Sequence, residues 1–148
     1  MEIRHILCPI EISDISEFAL TYSAMLAATL GAKLTVLHVV ESQPTVLLED
    51  GIVGHGRPGL PPKEERELRA MVERCAKDSD LKVSVEPGGV ALQIVEYAKR
   101  LGADMIAIGT HGRTGLKHLL LGSVAERVLR TSPVPVMTLR KPGATQED

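Results

Sequence analysis

Residues 104–140 read DMIAIGTHGRTGLKHLLLGSVAERVLRTSPVPVMTLR. Asp104–Ile108 is a short apolar run, as in a buried strand. Gly109–Ser123 then holds four glycines in fifteen residues. A helix is expected from Val124 to Arg130, and a last strand over Val134–Leu139. Strand, glycine-rich loop, helix and strand in that order point to a parallel sheet whose connections carry helices.

The pattern repeats upstream. Ile3–Ile10 reads as a first strand and Leu34–Val40 (LTVLHVV) as a second. Between them, Phe18, Tyr22, Met25, Leu26 and Leu30 recur at helical spacing. Asp14 and Glu17 stand like a capping box, and Gly31 is placed to end that helix in the left-handed conformation. Residues 41–62 break the pattern with four prolines and four glycines and read as a long surface insertion. Pro61 and Pro62 suit a helix start, with Leu68, Met71, Val72 and Cys75 facing inward. Leu81–Val85 is a third strand, and residues 89–101 a helix closed by Gly102. Strands rich in Val, Ile and Leu, alternating with amphipathic helices, imply one α/β domain over 1–148 with helices on both faces of a parallel sheet. Residues 141–148 read as a loose tail. Ligands bind such sheets at the carboxyl ends of strands, where the strand order reverses.

Two readings of the glycine stretch stand side by side. Gly109, Gly112 and Gly115 let a ligand approach the backbone, and successive N–H groups in such a turn form an anion-binding concavity. The helix beginning after Gly122 presents bare N–H groups at the positive end of its dipole. Against this, Ser123 and Glu126 spell S-x-x-E, a capping box that by itself accounts for Ser123. Leu116 and Leu119–Leu121 read as packing. GHGRPG at 54–59 matches G-x-G-x-x-G but neither follows a strand nor opens a helix.

Composition narrows the function classes. The chain has 148 residues, 44% hydrophobic and 24% charged, with a net charge of −2. Its lysines and arginines are spread out, which argues against nucleic acid. No apolar stretch approaches the roughly 20 residues of a membrane span. MEIRHILCPI carries too short an apolar run for a secretory leader. The two cysteines, Cys8 and Cys75, form neither a disulfide framework nor a zinc pattern, which fits a cytoplasmic protein. Cys8, inside an apolar run, reads as a small buried hydrophobe.

Gly109, Gly112, Gly122 and Ser123 fit the spacing G-x2-G-x9-G-[ST]. With HILCPIEISDIS, LTVLHVV, DMIAIGTHGRTG and SVAERVLRTSPVPVMTLR, the chain resembles the ATP-binding class of the universal stress protein family over nearly its whole length. The resemblance implies a flavodoxin-like (adenine nucleotide alpha hydrolase-like) sheet of five parallel strands in the order 3-2-1-4-5. It also implies a stress-response protein that is a homodimer paired through Val134–Leu139. Carried over by position, Pro9, Ile10 and Val39 meet the adenine end, with Glu11 at the ribose; Ser13 is counted among the nucleotide-binding residues. Gly109, His111, Gly112, Arg113, Gly122, Ser123 and Val124 line the triphosphate. The family usually has Asp where this chain has Glu11; Glu keeps the charge and adds a methylene.

His111 is placed to donate to phosphate, His118 and His55 read as surface residues, and His38 as a partnered core histidine. No cluster has metal-ligand spacing, so Mg²⁺ or Mn²⁺ would arrive carried by the phosphates. There is no P-loop lysine, no carboxylate pair placed for a metal and no nucleophile–base pair. The expectation is a nucleotide-dependent regulatory or binding module. The alternatives are a slow ATPase or phosphotransfer enzyme, and a dimeric scaffold that binds no nucleotide. Residues 41–62 read equally as a lid over the nucleotide or as a plain surface loop.

Overall fold

A computed structural model describes residues 1–41, 59–110 and 121–142. In chain order the elements are β1 (His5–Ile10), α1 (Asp14–Leu30), β2 (Lys33–Val40), α2 (Pro62–Ala76), β3 (Leu81–Pro87), α3 (Val90–Leu101), β4 (Met105–Gly109), α4 (Ser123–Thr131) and β5 (Val136–Leu139). All strand pairs are parallel, and the sheet order is β3-β2-β1-β4-β5. This is the expected flavodoxin-like α/β architecture.

Alternation along the central strands explains why they read as unbroken apolar runs. Ile6, Cys8 and Ile10 of β1, with Leu34 and Val36 of β2, face α1 and α2. Leu7, Leu37, Ile106 and Ile108 face α3 and α4. Cys8 is fully buried, as its setting suggested, and burial pushes its thiol pKa up to about 12 despite a hydrogen bond with Ser23.

Two helices end as their glycines foretold. Gly31 (φ 64°) donates its N–H to the Ala27 and Ala28 carbonyls, and Gly102 (φ 66°) does the same for Ala98 and Lys99. The starts differ from expectation. Ser13, not Asp14, caps α1: its Oγ accepts the Ser16 N–H at 3.4 Å. Glu17 instead pairs with Arg74 of α2. Asp104 lies just ahead of β4, and its Oδ2 accepts the N–H groups of Arg4 and His5, both at 2.9 Å.

The inward face of α1 is also displaced. The helix buries Ala19, Leu20, Ser23, Ala24 and Ala27, whereas Tyr22 is 45% and Met25 64% exposed. Phe18 and Leu26, two of the expected inward residues, are partly buried against the core, while small side chains beside Leu20 form the face closest to the sheet. Among the described residues no helix is long and apolar enough to cross a membrane.

Candidate functional site

β1 is the point where the strand order reverses. It pairs with β2 along its whole length, from His5↔Lys33 to Ile10↔His38. With β4 it pairs only through Ile6↔Met105 and Leu7↔Ile106. Beyond Leu7 those two strands part, and Pro9 offers no N–H to prolong the ladder. A cavity of about 600 Å³ opens at this split, within the usual size of small-ligand sites.

The cavity gathers residues from distant segments. Pro9 and Ile10 line it from β1, Glu11 from the turn after it, Val39 from β2, and Gly109 from β4. Gly122, Ser123 and Val124 close it at the start of α4. Eight predicted site residues therefore share one wall system. Ser13 does not line it, because its hydroxyl is committed to capping α1. His111, Gly112 and Arg113 lie outside the described residues, as do His55, His118 and residues 42–58 of the insertion.

Local bonding fixes the mouth. The Glu11 N–H donates to Ser16 Oγ at 3.0 Å, and the Ser13 N–H to the Glu11 carbonyl at 3.0 Å. The Gly122 N–H donates to the Thr110 carbonyl, so the two ends of the glycine stretch are tied together. Gly109 has no room for a side chain: a Cβ there would stand 2.9 Å from Ile15 Cγ1 and 3.3 Å from the Ile15 carbonyl oxygen.

At α4 the capping box suggested by Ser123 and Glu126 does not form. The N-cap is Gly122, with no side-chain cap, and Ser123 is the first helical residue. Glu126 instead pairs one turn onward, its Oε1 accepting from Arg130 Nη2 at 2.5 Å. The first N–H groups of α4 thus face the cavity without a side-chain acceptor among the described residues, at the positive end of the helix dipole. That arrangement favours an anion.

Other residues line the same cavity. His38 is buried on the cavity floor with its Nδ1 3.0 Å from the Ile10 carbonyl oxygen, the partnered core histidine expected. Ile12, Ile15, Val40, Glu41 and Glu64 also line the cavity. Sequence reasoning placed the end of β2, Val40–Glu41, among the candidate ligand loops, but did not place His38 or Glu64 at a site. Only the fold brings the first turn of α2 to the end of β2. A second cavity of about 380 Å³ adjoins the first, between Gly89–Leu92 and Arg127, and shares Glu41, Val90, Ser123 and Val124 with it. Among the described residues no group of three or more His, Cys, Asp or Glu side chains could hold a metal ion.

Comparison with known proteins bears on this site. The model of the universal stress protein family matches residues 2–140. The chain belongs to that family. Universal stress protein MJ0531 of Methanocaldococcus jannaschii is 34% identical over 145 residues, covering 94% of this chain and 83% of the relative. Two solved universal stress proteins share the fold. One, crystallised in complex with cAMP, superposes with a TM-score of 0.70 at 23% identity, over 94% of this chain and 98% of its own. The other, from Archaeoglobus fulgidus in complex with dAMP, gives a TM-score of 0.62 at 18% identity, over 93% and 98%.

Proposed function

We propose that this universal stress protein binds an adenine nucleotide, ATP foremost, in the cavity between β1, β2 and β4, and serves as a nucleotide-dependent regulatory module in the stress response. One observation carries the reading: the uncapped N-terminus of α4 opens on a cavity at the strand-order reversal, lined also by Pro9, Ile10, Glu11, Val39 and Gly109. The family relatives solved with cAMP and dAMP support the adenine class.

In this reading the phosphates lie on the N–H groups of Ser123 and Val124, with the Ser123 hydroxyl donating to a phosphate oxygen. Glu11 accepts ribose hydroxyl bonds, and the base lies against Pro9, Ile10 and Val39. A Mg²⁺ or Mn²⁺ ion would be held by phosphate oxygens and water. β5, an edge strand, pairs with its copy in a homodimer.

The test is thermal unfolding with ATP, ADP, AMP and cAMP. ATP at 100 times its dissociation constant should add about 2.7 kcal/mol to the stability. If none of the four nucleotides raises the midpoint, the protein is a scaffold that binds no nucleotide, and the reading fails.

A further inference from the structure

The stripe that α2 turns inward runs through Cys75, Met71 and Leu68. One turn before Leu68, on the same face, an apolar residue would continue it. The chain has Glu64 there instead. Its neighbours in the same turns are paired across the helix surface, Glu65 with Arg69 and Lys63 with Glu67. Glu64 is half-buried, lines the cavity, and has no ion-pair partner among the described residues.

Its place in the fold gives it a direction. The sheet order puts β2 on one side of β1 and β4 on the other. α2 belongs to the β2 side, and the bare N–H groups of α4 to the β4 side. The charged side chains lining the cavity, among the described residues, are Glu11, Glu41 and Glu64. Glu41 also lines the adjoining cavity with Ser123, Val124 and Arg127, so the acid set apart from the start of α4 is Glu64, whose carboxylate repels phosphate and welcomes hydrogen-bond donors.

Resting on the nucleotide reading above, we infer that Glu64 is a specificity residue. Its carboxylate accepts a hydrogen bond from the exocyclic 6-amino group of the purine, orienting the base toward α2 and the phosphates toward α4. A purine without that donor leaves a half-buried carboxylate facing an apolar ring edge with no partner, and the lost bond is a charge-assisted one.

Titration calorimetry with ATP and with purine riboside 5′-triphosphate, which lacks only the 6-amino group, tests this. The wild-type protein should prefer ATP by about tenfold or more, as loss of a bond to a charged group entails. Glu64→Gln, which still accepts but without charge, should shrink that preference. Glu64→Ala should abolish it, with only the small drop in the melting temperature without nucleotide that loss of an acid from the first turn of α2 entails. Equal binding of the two triphosphates by the wild-type protein, or an undiminished preference in Glu64→Ala, overturns the role of Glu64 while the nucleotide site stands. Failure of both triphosphates to bind overturns the nucleotide reading itself, and this inference with it.

Discussion

The Nδ1–H of His38 donates to the carbonyl oxygen of Ile10 across 3.0 Å, joining the ends of β2 and β1 beneath the cavity. The bond closes the floor where the β1–β4 ladder has already stopped. His38→Ala leaves that carbonyl without its partner and a void beside it. The expected cost is about 1–3 kcal/mol, read from urea unfolding. His38→Gln, which can still donate, should recover part of the loss; if it unfolds as readily as the alanine variant, the bond is not what matters.

Ser123→Asp separates binding from folding. A carboxylate in the first turn of α4 meets the positive end of the helix dipole, so the protein without nucleotide should gain about 0.3–1 kcal/mol. The same charge stands where the phosphates are proposed to lie, so ATP affinity should fall by at least tenfold. Paired urea and calorimetric titrations would show a more stable protein that has lost its ligand. Unchanged affinity would remove Ser123 from the phosphate site.

Gly109→Ala acts through Ile15. The added methyl would stand 2.9 Å from Ile15 Cγ1 and 3.3 Å from a backbone oxygen, so the start of α1 must move. Overpacking of this kind costs about 1–3 kcal/mol. Because α1 carries Ser16, which holds the Glu11 backbone, nucleotide affinity should drop together with the melting temperature. Retained affinity in a destabilised variant would uncouple α1 from the site.

The foot of the sheet is sensitive to pH. His5 donates to or accepts from Thr35 Oγ1 at 2.8 Å. Burial lowers its pKa from 6.5, as does Lys33; Asp104 opposes this, and Lys82 adds to it. The folded state then binds fewer protons than the unfolded state in this range. Stability is held in full above about pH 6.5 and declines as the pH falls below it. Asp104, whose pKa is lowered from 3.8 chiefly by the Arg4 N–H bond, loses its contribution only at more acidic pH. The urea midpoint should therefore fall between about pH 7.5 and about pH 5.5. The fall should be smaller in His5→Asn, and an equal fall would exclude His5 as its source.

Cys8 is shielded by burial, and its thiol stays protonated at neutral pH. Iodoacetamide followed by peptide mass mapping should find Cys8 unmodified in the native protein and modified in urea. Labelling of native Cys8 at the rate of an unfolded thiol would show that β1 opens far more readily than its packing implies.

The order of strands and helices could be read from local pattern because each signal is short-range: apolar runs for the central strands, and Gly31 and Gly102 where a helix must stop. The inward face of α1 could not. Tyr22, Met25 and Leu30 have the right spacing, but the face is chosen by how close the helix can approach the sheet, which favours Ala19, Ala24 and Ala27. Ser123 likewise satisfied a capping motif that the helix does not use, since motif spacing carries no information about what else competes for a side chain. The sequence by itself determined the alternation of elements, the two left-handed stops and the residues matching the nucleotide pattern. Only the tertiary structure decided that β1 and β4 part beyond Leu7, and that His38 and Glu64 belong to the same cavity as Ser123. Those are relations between segments far apart in the chain, set by sheet order and helix packing, and no local periodicity encodes them.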